Sequence, residues 1–285
     1  MSDPAKPTKF GLIARAGVFA LIGILGLTLF PPLMLPVAGY VVAAALGTFA
    51  AAAVANALVL RIYERGRLAD IGLGWTPSSR RNLALGLLGG LAGGVLVTLA
   101  PLTAGLAHYE TSGDGHTHWP GMLFLSIVLL FGAVGEEMMF RGYAFQILAL
   151  AIGEYATVLP MGVLFGLAHM NNLHITGLAI LNPVLWGVLL GVAYLRSRDL
   201  WLPIGLHFGW NWALPLLGVN LSGFTMEVTG RALHPDESPL WTGGAYGPEG
   251  GLFTTIMVAA LFVAVLRAPI ARQKSFLLDG HSDDD

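Results

Sequence analysis

The feature that most constrains this chain is a succession of apolar stretches separated by short polar breaks. A membrane-crossing helix needs about 20 mostly apolar residues, and eight stretches approach or reach that length, at roughly 14–31, 36–60, 83–106, 119–140, 156–170, 176–195, 200–218 and 251–267. The expected fold is therefore all-α: a polytopic membrane protein with about eight transmembrane helices surrounding a polar intramembrane cavity. Composition agrees, because only 11% of the residues are charged, against about 25% in an ordinary soluble domain. The first stretch is too long and uninterrupted for a signal-peptide core. No small-residue cleavage site clearly follows it before Pro31-Pro32, so it is read as retained.

Loops on the cytoplasmic side of a membrane protein carry its Lys and Arg. With eight spans, Lys6, Lys9, Arg15, Arg61, Arg65, Arg67, Arg80, Arg81, Arg141, Arg196, Arg198, Arg267, Arg272 and Lys274 all fall at one end, and of the 15 basic residues only Arg231 falls at the other. Both termini are thus predicted to be cytoplasmic. Acidic residues number 17 and the net charge is −2, so phosphate neutralisation gives no support to a nucleic-acid partner. With no cysteine, disulfides, thiol catalysis, iron–sulfur clusters and Cys-ligated zinc are excluded, and any metal would rely on His and carboxylate. The 38 glycines suit close helix packing in lipid, as in Gly86xxxGly90, Gly90xxxGly94 and Gly187xxxGly191, although plain Gly/Ala richness accounts for most such pairs.

Three regions are expected. Residues 1–118 form an N-terminal three-span region, 119–218 a core with the chemistry-bearing residues, and 219–285 an external loop, a last span and an acidic tail. Segment 61–82 mixes Arg with Ile, Leu and Trp, which fits either an interfacial amphipathic element or, preferably, a plain positive-inside loop. Segments 107–118 and 219–250 are polar and external, and His281 to Asp285 form a solvated or disordered tail. No repeat is long enough to argue an inverted-repeat transporter.

In lipid the informative side chain is the ionisable one, because a charge at the bilayer centre costs roughly 2.5 to 3.5 kcal/mol even on the gentler insertion scale. Among the acids only Glu136 and Glu137 lie within an apolar stretch, followed by Arg141; among the histidines only His169 and His207 sit in or beside a span, and Asn211 completes the set. Glu137 and Arg141 are spaced i, i+4, so an internal ion pair satisfies both. Glu136 points about 100° away around the helix and is left over. A turn near Gly153 returns His169 to the depth of Glu136, and His207 and Asn211 share one face of their span. His207 is about 10 Å in from the cytoplasmic end, so the four groups are expected to meet in a cavity open toward the cytoplasm. Asn171, Asn172 and His174 fit a wet cavity wall or an external loop.

A carboxylate beside an imidazole in a low-dielectric cavity can serve as general base toward water. A second imidazole with an Asn amide can donate hydrogen bonds to a developing oxyanion. There is no nucleophilic Cys and no GxSxG, and Ser126 is an isolated hydroxyl without a base, so water activated by Glu136 is preferred. The alternative is zinc held by Glu136, His169 and His207, two His and one Glu being a known catalytic ligand set. No HExxH occurs.

These residues, read in order as EExxxR at Glu136, Glu137 and Arg141, FxxxH at Phe165 and His169, and HxxxN at His207 and Asn211, resemble the CPBP intramembrane proteases. That family includes the Rce1-type CAAX endopeptidases, Abi proteins, and bacteriocin-processing or self-immunity proteins. The resemblance covers about residues 120 to 215. It implies an eight-span helical core with a cavity reached from the cytoplasm. It also implies that Glu136 activates water with His169, that His207 and Asn211 stabilise the oxyanion, and that Glu137, Arg141 and Phe165 support the site. A glutamate-type mechanism without a required cofactor is favoured over a zinc-dependent one. The expected partners are the bilayer and a membrane-associated protein or peptide substrate. Eukaryotic relatives cleave prenylated C-terminal tripeptides, but the Gly/Ala-rich composition points to a prokaryotic inner membrane and leaves leader peptides or sorting tails open. The competing reading is a non-catalytic membrane scaffold, an immunity or regulatory protein that binds partner membrane proteins. Intramembrane Glu and His would also suit a proton-coupled carrier, which lacks support from paired broken helices.

Overall fold

The computed structural model describes residues 7–236 and 238–280. It contains α1 (Lys9–Ala38), α2 (Tyr40–Val59), α3 (Pro77–Thr103), β1 (Ala107–Thr111), α4 (Trp119–Arg141), α5 (Tyr143–Ile152), α6 (Glu154–Ala168), α7 (Gly177–Ser197), α8 (Trp201–Leu216), β2 (Arg231–Pro235), α9 (Pro239–Thr242) and α10 (Leu252–Arg267). The tail His281 to Asp285 and Lys6 lie outside the described residues.

The fold is a mostly helical bundle of the kind a multi-pass integral-membrane protein adopts. Two expectations need correction. Among the described residues five helical segments, not eight, are long and apolar enough to cross a membrane: Lys9–Ala38, Tyr40–Glu64, Pro77–Thr103, Trp119–Ile152 and Gly177–Ser197. The stretches expected at 156–170, 200–218 and 251–267 form helices of 15, 16 and 16 residues. At about 1.5 Å rise per residue each falls short of the roughly 30 Å hydrocarbon core, because the apolar stretches that form them are themselves too short and polar or loop residues bound them. The fold is also not purely α, since β1 and β2 pair antiparallel from Ala107 opposite Pro235 to Thr111 opposite Arg231.

Local chemistry explains the boundaries. Thr76 and Ser79 form a reciprocal capping box around Pro77, which starts α3. The Thr176 hydroxyl accepts from the Ala179 N–H and starts α7. The Pro31-Pro32 pair does not end the first helix, which runs to Ala38 and turns at Gly39, where φ is 73°. The turn expected near Gly153 is present, with φ of 103°. It is preceded by a second break at Gly142, where the Asn56 amide oxygen accepts from the Tyr143 N–H at 2.8 Å and its nitrogen donates to the Met138 carbonyl at 3.0 Å.

Helix α8 lies along α3 with almost no gap. A Cβ on Gly86 would stand 2.3 Å from the Leu202 carbonyl oxygen, one on Gly90 2.2 Å from that of Leu206, and one on Gly209 2.6 Å from that of Leu87. A Cβ on Gly187 of α7 would likewise stand 2.6 Å from the Gly162 Cα of α6. The small residues are therefore contact points, and they set where His207 sits.

The two ends of the bundle differ. At the Arg-rich end Arg15 pairs with Glu64, the Gly72 carbonyl accepts from Leu200 N–H, and the Asn82 amide donates to Asp199. Segment 61–82 forms a structured connection there as far as Thr76 and then the first turns of α3, with Ile71 fully buried while Ile62 and Trp75 stay exposed. At the opposite end the strand pair, the 169–176 turn and the 217–251 segment meet, with Gly223 N–H donating to the Tyr246 carbonyl and Asn172 to the Tyr246 hydroxyl.

Candidate functional site

Consecutive glutamates on a helix face directions about 100° apart, and on α4 this separates two environments. Glu137 is fully buried, and its Oε1 accepts from Arg141 Nη1 at 3.1 Å, one turn along, and from His207 Nδ1 at 2.9 Å on α8. Arg141, also fully buried, donates its Nη2 to the Gly187 carbonyl of α7 at 2.9 Å and lies 4.8 Å from the centre of the Phe165 ring of α6. Four helices are thus fastened at one charge pair, which is the i, i+4 pair expected from the spacing.

Because a carboxylate only accepts, His207 donates from Nδ1 and turns its Nε2 toward Glu136. The Nε2 to Glu136 Oε2 distance is 3.8 Å, beyond direct hydrogen bonding. Glu136 is less enclosed, with a side chain 30% exposed, and its Oε2 has no hydrogen-bond partner among the described residues.

His169 terminates α6, where its Nδ1 donates to the Phe165 carbonyl at 2.8 Å. With Nδ1 as the donor, Nε2 is the nitrogen left to accept whenever the ring carries a single N–H. The Phe165 ring lies between the two histidines, 4.8 Å from His169 and 5.9 Å from His207, centre to centre. Asn211, one turn beyond His207, has an amide without a hydrogen-bond partner among the described residues.

Glu136, Phe165, His169, His207 and Asn211 all line one cavity of about 350 Å³. Asn172 joins the wall, whereas Asn171 and His174 are exposed outside it. The Ser126 hydroxyl is engaged elsewhere, donating to the Met122 carbonyl and accepting from Trp212 Nε1. The direction of the cavity differs from expectation. Its rim comes from Tyr40, Asn172, Ser222, Phe224, Met226 and Glu249, all at the strand-pair end, so it opens away from the Arg-rich loops and not toward them. Helix geometry gave the depth of each group but not which side of that depth was filled.

Glu249 escaped the sequence argument. It is buried in the 217–251 segment, accepts from Trp210 Nε1 at 3.0 Å and from the Ser222 N–H and hydroxyl, and lines the same cavity. A Glu in a Gly-rich loop carries no helical phase, so nothing local marked it. Asn56, which braces the Gly142 break behind the charge pair, was hidden in an Ala-rich helix.

Among the described residues no group of three or more His, Asp or Glu side chains is disposed to hold a metal ion. Of the set Glu136, His169 and His207, the described residues bring only Glu136 and His207 within 4 Å of one another, so the three as placed do not form a ligand set for zinc.

A family model described as type II CAAX prenyl endopeptidase Rce1-like matches residues 117–213, about a third of the chain. No curated protein and no solved structure matches the chain. The matched segment carries every motif residue from Glu136 to Asn211, and the match supports protease-like enzymatic activity in general.

Proposed function

We propose that the chain is an intramembrane endopeptidase that hydrolyses a peptide bond near the C-terminus or in the membrane-proximal part of a membrane-associated protein or peptide. The observation that carries this reading is the convergence of an unpartnered carboxylate oxygen on Glu136, the Nε2 of His169, and the His207 and Asn211 side chains on one cavity.

In this mechanism Glu136, oriented with His169 toward a water in the cavity, takes its proton while the oxygen attacks the scissile carbonyl. The carbonyl π electrons move onto oxygen and give a tetrahedral oxyanion. Asn211 Nδ2 and His207 Nε2 are the donors for that oxygen. Since the Nδ1 hydrogen of His207 is committed to Glu137, donation from Nε2 requires the imidazolium. When the C–N bond breaks, the proton on Glu136 passes to the departing amine. Glu137 and Arg141 are positioning residues that fix the His207 ring.

The test is terminal-peptide mass spectrometry on membranes from cells expressing the wild-type chain or Glu136→Gln at matched levels. A small set of new termini present only with the wild type supports the peptidase. Unchanged termini, or normal cleavage by Glu136→Gln, defeats it and leaves the scaffold reading. Cleavage is expected to persist in EDTA and phenanthroline, as a carboxylate-activated water requires no ion.

A further inference from the structure

The cavity's direction bears on what can enter it. On α4 its lining reaches past Glu136 to Met139 and Phe140, and beyond them toward the Arg-rich end Arg141, Tyr143 and Gln146 are fully buried, as is Glu137 beside the site. Gln146 donates to the carbonyl of Ile71, itself fully buried in the loop that carries Arg61, Arg65 and Arg67. Between the site and the Arg-rich end the described residues thus form a packed layer. On the other side the wall climbs α2 from Thr48 to Tyr40 and ends in the 217–251 segment, where the Tyr40 and Phe224 rings stack 5.2 Å apart at the rim. The basic residues assign the packed end to the cytoplasm by the positive-inside rule.

We propose that the site draws its substrate from the extracytoplasmic side of the membrane. Resting on the peptidase reading above, the substrate is a membrane-anchored polypeptide whose scissile bond lies at or within the extracytoplasmic end of its apolar anchor, and not a tail exposed in the cytoplasm. The wall between rim and floor fits such a segment: Leu27 of α1, Ala44 of α2 and Leu129 of α4 give apolar surface along it. Among the described residues no Lys or Arg lines the cavity, so a cytoplasmic-type tail ending in a free carboxylate finds no guanidinium or ammonium there to receive it.

The chain's lack of cysteine makes the access side directly measurable. Single cysteines at Ala168 and Thr48, both in the cavity wall, are compared with Thr117→Cys beside the strand pair and Arg80→Cys at the Arg-rich end, both exposed. Spheroplasts expressing each full-length variant are treated with a membrane-impermeant maleimide before and after permeabilisation, and labelling in denaturant gives the total thiol. Thr117→Cys, Ala168→Cys and Thr48→Cys are expected to label in intact spheroplasts, and Arg80→Cys only after permeabilisation. Labelling of both cavity positions only after permeabilisation overturns the proposal, as does a reversed pattern at Thr117 and Arg80 or failure of both cavity thiols to label from either side. The readout needs no proteolysis, so absence of substrates in the Glu136→Gln comparison would remove the peptidase while leaving the access side measured.

Discussion

The position of His207 is set by glycines on a neighbouring helix, and Gly90→Ala is the perturbation that tests this. A methyl at Gly90 would stand 2.2 Å from the Leu206 carbonyl oxygen and 2.7 Å from the Trp210 N–H nitrogen, both backbone atoms of α8 that flank His207. Ordinary contact is about 3.5 Å, so α8 must retreat by about 1 Å. No rotamer change relieves the clash, because the opposing atoms are main chain. The same retreat lengthens the 2.9 Å bond between His207 and Glu137 past the hydrogen-bonding limit of about 3.2 Å and carries Asn211 with it. Overpacking of this kind costs about 1–3 kcal/mol, and a misplacement of about 1 Å at a catalytic group can cost roughly 100-fold in rate. The expected result is a lower melting temperature in detergent and a cleavage rate reduced by about that factor. Gly17→Ala, whose added methyl meets nothing within 4 Å, should leave both unchanged. A Gly90→Ala protein with wild-type melting and wild-type turnover would refute the claim that α3–α8 contact positions the site.

Two further outcomes follow from individual groups. Arg141→Ala leaves Glu137 buried without its guanidinium partner and frees the Gly187 carbonyl, so it should lower folded yield and stability by about 3–5 kcal/mol, measured by size-exclusion recovery and thermal melts; recovery equal to wild type would contradict the buried pair as a structural pin. At the strand pair, hydrogen bonds to Glu110 and then Asp236 raise the pKa of His108 above its usual value. A raised folded-state pKa adds stability that is complete below the unfolded value and is lost as pH rises through the folded one. Amide exchange in 107–111 and 231–235, corrected for its intrinsic pH dependence, should therefore be slowest below about pH 6.5 and faster above it, and pH-independent protection would count against the linkage.

What was legible in the sequence was what helix geometry carries locally. The Glu137–Arg141 pair follows from i, i+4 spacing, the reversal at Gly153 from a Gly between two apolar arms, and the common face of His207 and Asn211 from one helical turn. Span counting failed where neighbouring protein changes the rule. Helix α8 is buried along most of its length against α3 and α7, so its 16 residues need not match a lipid thickness, and the apolar residues flanking it belong to loops. The Gly142 break was illegible for a related reason, since its brace, Asn56, comes from another helix and supplies both a donor and an acceptor to it.

Cavity direction is a harder quantity than depth, and Glu136 and Glu249 show why. The depth of Glu136 follows from its count along α4, a one-dimensional measure. Whether the space beside it is filled depends on side chains distant in sequence: Gln146 reaching Ile71 closes one end, while Glu249, bound to Trp210 and Ser222, holds a loop back from the other. Both are hydrogen bonds to buried polar groups that would cost free energy if left unmade, so each stabilises the arrangement around the cavity as well as its own segment. A carboxylate in a loop thereby helps to determine from which side a carboxylate in a helix can be reached.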